Sequence, residues 1–300
     1  MAATQEIMTW LITGGSGQLA RCLADVLEKE NQAFRLMSKR DLDVSSNEAA
    51  SKIIREAPSL IVNCAAYTFV DKAEIESDLA NATNVKGARN VAAAAKDLKV
   101  PLIHISTDYV FSGESNTPWS ANSPTKPVTE YGKSKLAGEN EIFDLYAENS
   151  FILRTAWLYS SYGSNFAKSI LRKMMTENKE LKVVSDQFGQ PTSAHELSEK
   201  ILELAKTFPA PGTYHVTNSG QASWFEFAQE IVSLAGHDPI RISPISSIQY
   251  DSLAQRPKYS VLDNSAWINQ GLPKMSPWKE ALRSLMPKLK TRVEREISNG

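Results

Sequence analysis

The chain has 300 residues, of which 42 % are hydrophobic and 22 % charged, a composition typical of globular enzymes. Its net charge of −1 and the lack of a long basic stripe argue against a nucleic acid as partner. No apolar run reaches the roughly 20 residues that cross a bilayer, and Met1–Glu6 lacks the layout of a signal peptide. Cys22 and Cys64 are interpreted as reduced apolar residues, so we expect a cytoplasmic enzyme without a membrane partner.

Apolar runs alternate with helical patterns through the first half of the chain. The predicted buried parallel strands are Met8–Thr13, Ala33–Met37, Leu60–Cys64, Leu102–Ser106 and Phe151–Leu153. The predicted helices are Gln18–Lys29, Glu48–Glu56, Leu79–Asp97 and Thr129–Tyr146. This βαβ alternation predicts an α/β fold with a doubly wound parallel sheet of the Rossmann type.

The alternation loosens after Arg154, where a smaller C-terminal lobe is predicted. Turn-rich loops are predicted at Ser160–Gly163 and Gln187–Thr192, and further strands at Tyr214–Asn218 and Arg241–Ile245. Ser193 and Ser223 each precede a glutamate by three residues, Glu196 and Glu226, which predicts two capping boxes. We expect residues 1–156 to form the sheet domain, completed by segments near 190–220, and residues 157–300 to form mainly the lobe.

The first predicted strand ends in a glycine-rich turn, and a helical pattern follows at once. The spacing Gly14-x-x-Gly17-x-x-Ala20 lets a pyrophosphate approach the backbone at a helix N-terminus. A small residue suffices at the third position, where Ala20 replaces the usual glycine. The turn therefore predicts a dinucleotide site at Gly14, Gly17, Gln18 and Leu19, and a purely structural turn is the alternative.

The tip of the second strand bears on the choice of cofactor. An NAD site typically has an acidic residue there, whereas this chain has Ser38, Lys39 and Arg40. Such cations suit the 2′-phosphate of NADP, and Arg40 is the expected ligand because a guanidinium can bind two oxygens. A turn at Asp43 and Val44 is predicted to flank the adenine. We expect NADPH to be accepted at least as well as NADH. The alternative is a solvated basic turn.

Three side chains form a candidate catalytic group. Tyr131 and Lys135 lie four residues apart on one predicted helix face. A phenol with a pKa of about 10 exchanges protons poorly near neutrality, and a neighbouring ammonium lowers that pKa. Thr107, at the end of the fourth strand, would bind a carbonyl oxygen. A chance helix pair and simple strand-end capping are the alternatives for the separate motifs.

With these motifs the chain resembles the extended short-chain dehydrogenase/reductases over nearly its whole length. The matching stretches are Thr13–Ala20, Asn63–Glu74, Ser106–Phe111, Tyr131–Glu139, Arg154–Tyr159, Asp186–Thr192 and Arg256–Ser260. The resemblance implies reduction of the C4 keto group of dTDP-4-dehydro-L-rhamnose to dTDP-L-rhamnose by NAD(P)H. It also implies that the C-terminal lobe binds the dTDP-sugar.

The same resemblance implies roles for individual residues. Thr107, Tyr131 and Lys135 would be catalytic, with Tyr131 donating the proton to O4 and Lys135 also holding the nicotinamide ribose. Further cofactor contacts are implied for Ala65, Ala66 and Thr68, with Asn84 supporting the nearby backbone. Substrate contacts are implied for Val70, Thr107, Trp157 and Arg256, with a core position as the alternative for Trp157. Arg256 is expected near the substrate pyrophosphate, where a guanidinium fits.

The resemblance also bears on metal binding and assembly. Some relatives bind Mg²⁺ at a dimer interface through a glutamate near the position of Cys22, and a thiol is a poor ligand for that ion. We therefore expect no metal site and leave a homodimer open.

Two other functions are possible on the sequence alone. One is that of another nucleotide-sugar epimerase, dehydratase or reductase. A second is that of a non-catalytic NADP-binding regulatory subunit, which would not need Thr107, Tyr131 and Lys135 together.

Overall fold

A computed structural model describes residues 9–299, so Met1–Glu6 and the predicted strand start at Met8 lie outside the described residues. The strands of the described range are β1 (Trp10–Thr13), β2 (Phe34–Met37), β3 (Leu60–Asn63), β4 (Leu102–Thr107), β5 (Ser150–Thr155), β6 (Leu158–Tyr159), β7 (Leu181–Val184), β8 (Phe188–Gly189), β9 (Thr192–Ser193), β10 (Gly212–His215), β11 (Ala222–Ser223) and β12 (Ile242–Ile245). The α-helices are α1 (Gln18–Lys29), α2 (Ala49–Glu56), α3 (Val70–Ala73), α4 (Ser77–Asn81), α5 (Gly87–Leu98), α6 (Glu130–Tyr146), α7 (Phe166–Thr176), α8 (Ala194–Thr207), α9 (Trp224–Leu234), α10 (Ser265–Asn269) and α11 (Trp278–Ser298).

The central sheet is parallel and has the strand order β10-β5-β4-β3-β1-β2. The chain runs from β1 outward to β2 and then returns across β1 to β3. The direction of winding therefore reverses between β1 and β3, and such a switch point opens a crevice at the carboxyl ends of the strands. The predicted doubly wound α/β fold is confirmed.

Alternate residues of β1 face opposite layers of helices. Trp10 and Ile12 pack in one core cluster with α1 and α8, whereas Leu11 packs in another with α2, α5 and α6. Because both faces of the sheet are covered, every residue of β1 is buried and the strand is almost continuously apolar. α1 has the predicted bounds, and its first residue follows Gly17 directly.

The helix predicted over Leu79–Asp97 is present without a break, but it contains a π-helical turn that the sequence did not predict. It consists of α4, the π-helical turn over Ala82–Lys86, and α5. The buried Asn84 lies in the wide turn and turns its amide toward Tyr67 and Ser134. This inward amide accounts for the local widening, a device frequent beside functional sites.

The C-terminal lobe has its own core, where α7, α9 and α11 pack around residues such as Leu171, Phe227 and Leu289. Its strands pair outside the central sheet, with β12 parallel to β7. α11, which contains Pro287, did not emerge from the sequence pattern. The strand predicted at Tyr214–Asn218 begins earlier and ends at His215, as β10 of the central sheet. No helix within residues 9–299 is long and apolar enough to span a membrane.

Only one of the two predicted capping boxes is complete. Ser223 and Glu226 satisfy each other's backbone N–H groups at the start of α9, as predicted. At the start of α8, Ser193 accepts from the Glu196 N–H, but the Glu196 carboxylate instead binds the Ser276 N–H at 2.5 Å. That carboxylate connects α8 to the segment before α11, so the second capping box is wrong.

Candidate active site

A cleft of about 700 Å³ opens at the carboxyl ends of β1, β3 and β4 and extends to α7 and α9 of the C-terminal lobe. Its volume is in the range of small-ligand sites. The predicted site residues that line it are Gly14, Gly17, Gln18, Leu19, Lys39, Ala65, Ala66, Thr68, Val70, Thr107, Tyr131, Lys135 and Trp157. Residues from the glycine turn, the strand ends and α6 therefore line the same cleft.

The glycine turn fits a pyrophosphate. Gly14 has φ +67°, and a Cβ there would lie 2.7 Å from the Ala65 nitrogen, so only glycine suits the position. The Gly17 N–H donates to the Gly14 carbonyl at 2.8 Å, which closes the turn. No side chain of the described residues caps α1, so its first N–H groups are left facing the cleft.

The basic tip after β2 presents one cation to the cleft. The Lys39 side chain is 82 % exposed and lines the cleft, whereas the exposed Arg40 does not. Ser38 donates its hydroxyl to Asp41 at 2.6 Å and does not line the cleft. The structure therefore favours Lys39 as the cation of this site, whereas the sequence favoured Arg40.

Two more residues predicted at the adenine end do not line the cleft. Asp43 accepts a hydrogen bond from the Ser45 hydroxyl at 2.7 Å and lies 3.9 Å from the Lys39 ammonium. Val44 is buried in the core beneath α5, where a Cβ on Gly87 would lie 2.7 Å from it. Their contact with an adenine stays a prediction.

Asn84 acts behind the cleft. Its Oδ1 accepts from the Tyr67 N–H at 2.8 Å, and its Nδ2 donates to the Tyr67 carbonyl at 3.1 Å and to Ser134 Oγ at 2.9 Å. The amide thereby fastens the segment after β3, which includes Ala65, Ala66 and Thr68, to α6. This contact supports backbone that lines the cleft, although Asn84 itself does not line it.

Tyr131 and Thr107 meet at the floor of the cleft. α6 begins immediately before Tyr131, because the Thr129 hydroxyl accepts from the Gly132 N–H at 3.0 Å. The Thr107 hydroxyl lies close enough to the Tyr131 phenol to affect its pKa. Burial raises the pKa of Tyr131 to about 12, with Thr107 lowering it and Asp108 raising it. The phenol is therefore protonated at neutral pH, as a proton donor must be.

The hydrogen bonds of Lys135 go to residues of β4. Its Nζ donates to the Ile105 carbonyl at 2.7 Å and lies 3.2 Å from His104 Nε2. This ammonium was expected to lower the pKa of Tyr131, whereas in the structure burial is the main influence and raises it. Burial also lowers the pKa of Lys135 to about 8. The sequence offered no signal for His104.

Asp108 is a buried carboxyl that the sequence argument did not include in the site. Its Oδ1 accepts from the Thr107 hydroxyl at 3.0 Å, and it is 1 % exposed. Burial raises the pKa of Asp108 to about 6, against the lowering effect of its hydrogen bonds. The carboxyl thus lies one residue from the proposed carbonyl-binding hydroxyl and lines the same cleft.

Arg256 closes a loop beside the cleft without lining it. Its Nη2 lies 2.5 Å from Asp71 Oδ2, and the Ala254 N–H donates to the other oxygen of that carboxylate at 3.1 Å. The guanidinium also interacts with Tyr109, which does line the cleft. Its role toward a substrate pyrophosphate stays a prediction, because Asp71 already neutralises the side chain.

Trp157 belongs to an aromatic wall at the lobe side of the cleft. It has φ +46°, a strained conformation for a bulky residue. Its indole stacks on Trp224 with centroids 3.5 Å apart, and a Cβ at Gly189 would clash with it. Trp224 and Phe166 also line the cleft and were missed from the sequence, where only the start of α9 was marked.

A buried ion pair fastens α6 to the sheet. Arg154 of β5 binds the Glu139 carboxylate through Nη2 at 2.6 Å and through Nε at 3.0 Å. The Ser106 hydroxyl of β4 donates to the same carboxylate. Because Tyr131 and Lys135 lie on the same helix, this pair helps to set their position relative to Thr107.

The residues considered for a metal do not favour one. Cys22 is 1 % exposed and belongs to the core between α1 and α8, so its sulfur is not presented to a second subunit. Within residues 9–299 no group of three His, Cys, Asp or Glu side chains has a metal-binding arrangement. The expectation that no metal is bound stays a prediction.

Comparison with known proteins gives consistent relatives. The family model described as RmlD substrate binding domain matches residues 8–291. A dTDP-4-dehydrorhamnose reductase of Streptomyces griseus is 40 % identical over 294 residues, 96 % of each chain. A dTDP-4-keto-6-deoxy-D-glucose reductase of Streptomyces niveus is 37 % identical over 281 residues, 93 % of this chain and 97 % of its own. The crystal structure of a Bacillus anthracis dTDP-4-dehydrorhamnose reductase in complex with NADP is similar with a TM-score of 0.89 and 38 % identity, covering 94 % of this chain and 99 % of that one.

Proposed function

The chain belongs to the RmlD substrate binding domain family, and from this membership we propose that it reduces the C4 keto group of dTDP-4-dehydro-L-rhamnose to dTDP-L-rhamnose. The observation that most supports this proposal is the meeting of Thr107, Tyr131 and Lys135 in one cleft with the glycine turn. One wall of that cleft suits a dinucleotide, and its floor has a proton donor.

NADPH, when bound, supplies the hydride for the C4 carbon. The open N–H groups at the start of α1 would hold its pyrophosphate, and Lys39 would face its 2′-phosphate. The Thr107 hydroxyl would turn its proton from Asp108 to the substrate carbonyl oxygen, and Tyr131 would donate its phenolic proton to that oxygen. The Lys135 ammonium would bind the nicotinamide ribose and stabilise the phenolate that Tyr131 becomes. Cys22 is too buried and too soft to supply a Mg²⁺ site, so no step of the proposal needs that ion.

A coupled assay tests the proposal. The protein is mixed with dTDP-4-keto-6-deoxy-D-glucose and a 3,5-epimerase, NADPH oxidation is followed by absorbance, and the product sugar is identified by NMR. We expect oxidation to require the epimerase and the product to be dTDP-L-rhamnose. Oxidation without the epimerase would indicate a reductase of the unepimerised sugar, and NADPH binding without any oxidation would indicate the regulatory subunit.

The choice of cofactor gives a second test, in which Lys39→Ala and Arg40→Ala form a matched pair. We expect Lys39→Ala to weaken NADPH binding by about tenfold and to leave NADH binding unchanged, because only the 2′-phosphate contact is lost. Arg40→Ala should change neither dissociation constant, since Arg40 does not line the cleft. Dissociation constants from nicotinamide fluorescence decide the matter. A larger NADPH loss with Arg40→Ala would reverse the assignment.

A further inference from the structure

A buried hydrogen-bond chain connects the glycine turn to Lys135. The Ala65 N–H donates to Thr13 Oγ1 at 3.1 Å, and Thr13 Oγ1 lies 2.6 Å from Asn63 Oδ1. Asn63 Nδ2 lies 3.0 Å from His104 Nδ1, and His104 Nε2 lies 3.2 Å from Lys135 Nζ. Thr13, Asn63, His104 and Lys135 are all at most 2 % exposed.

The hydrogen atoms of this hydrogen-bond chain can be placed in two ways that pair a donor with an acceptor at every contact. Burial and the nearby Lys135 charge hold the pKa of His104 well below its usual range, so its ring has one donor and one acceptor nitrogen. An ammonium on Lys135 only donates, so Nε2 must then accept and Nδ1–H must donate to the Asn63 oxygen. A neutral amine on Lys135 accepts from Nε2–H, and Nδ1 then accepts from the Asn63 amide nitrogen. The two arrangements differ by a half-turn of the Asn63 amide and need no movement of backbone.

We propose that Thr13, Asn63 and His104 form a reversible hydrogen-bond chain in which His104 is the positioning residue for Lys135 and adapts to its charge. The kinetic part of this inference rests on the proposed function, because it assumes that the charged Lys135 supports proton donation by Tyr131. The chain itself stands on its contacts alone.

Among the groups that face Lys135, His104 is the one whose hydrogen-bond role can change with the charge of Lys135. Glu139, on the same helix, is engaged by Arg154 and Ser106. Cys64, after β3, is a neutral thiol, because burial raises its pKa to about 12. Tyr131 is a neutral phenol one turn earlier on α6. The Ile105 carbonyl accepts from Lys135 in either charge state, so His104 is the contact whose donor and acceptor roles reverse.

Two variants of His104 separate its two contacts. In His104→Gln the side-chain amide takes the position of Nε2, so a hydrogen bond with Lys135 is retained. In His104→Asn the shorter amide takes the position of Nδ1, so only the contact with Asn63 is retained. The charge-assisted bond from an ammonium is the stronger of the two Lys135–His104 bonds, so losing it lowers the pKa of Lys135. We expect the alkaline limb of the kcat–pH profile to move about one pH unit lower in His104→Asn and to stay near the wild-type position in His104→Gln. His215→Asn, at another buried histidine that contacts Trp119, is the control for general destabilisation.

An equal shift in both His104 variants, or no shift in either, would overturn the positioning role. The wild-type protein gives an independent readout through NMR of ¹⁵N-labelled histidine. We expect His104 to carry its proton on Nδ1 in mildly acidic solution and on Nε2 above the Lys135 pKa of about 8. Lys135→Met should abolish this change of tautomer. A single tautomer across the pH range would refute the reversible chain, whatever the sugar assay shows, and a reversible tautomer without sugar reduction would refute only the proposed function.

Discussion

Replacing Tyr131 by Phe is expected to lower kcat by about 10²–10⁴-fold, the usual contribution of a general acid. The hydroxyl is the only part removed, and it lies beside Thr107 in the cleft. The pKa of Tyr131, raised by burial to about 12, means that wild-type enzyme holds this proton throughout the neutral range. NADPH binding should change by less than about twofold, because the glycine turn and Lys39 are untouched.

Stopped-flow measurement of NADPH oxidation, with a separate fluorescence titration for binding, separates these two quantities. Tyr146→Phe is a matched control, since it removes a phenolic hydroxyl from the same helix at a buried position where the hydroxyl accepts from Asn149 at 3.2 Å. Near-wild-type turnover in Tyr131→Phe would assign proton donation to another group, and Asp108 would be the first to examine.

Replacing Arg154 by Met is expected to lower the free energy of unfolding by about 3–5 kcal/mol, because it leaves the Glu139 carboxylate buried without its cation. Removing both charges in Arg154→Met/Glu139→Leu should recover most of that loss, since apolar replacements of a buried pair are often neutral. Urea unfolding followed by circular dichroism measures both variants.

The exposed pair between Arg89 and Glu141 is the control for this experiment. It also joins α6 to a neighbouring element, at 2.5 Å, but its side chains are 57 % and 29 % exposed. Arg89→Met should therefore cost less than about 1 kcal/mol. Equal losses from Arg89→Met and Arg154→Met would show that burial does not decide the strength of these pairs here.

The periodic elements of the first half could be predicted because their reasons are local. α1 follows directly from a glycine turn and an apolar face, and the sequence shows both. The π-helical turn inside the helix predicted over Leu79–Asp97 was missed because the inward amide of Asn84 depends on Tyr67 and Ser134, which are distant in sequence. Helix propensity depends on neighbouring residues and does not include a hydrogen-bond partner that is distant in sequence.

The candidate site was predictable in its residue types and less so in its geometry. The cluster Ser38, Lys39 and Arg40 indicated a cation, but only the folded turn distinguishes Lys39 from Arg40. His104 and Asn63 look like ordinary strand residues until β3 and β4 pair side by side. The spacing of Ser193 and Glu196 predicted a capping box, but the Glu196 carboxylate instead accepts a hydrogen bond from the N–H of Ser276, 80 residues away.

The stack of Trp157 on Trp224 also has an optical consequence. One indole follows β5 of the sheet and the other opens α9 of the lobe, and both pack against the core of the lobe at one side of the cleft. Two indoles this close and nearly parallel couple their electronic transitions, and the sign and size of the resulting circular dichroism couplet depend on their separation and angle. The molecule therefore contains an intrinsic chromophore pair whose circular dichroism registers any rearrangement of this aromatic side of the cleft, without an attached dye.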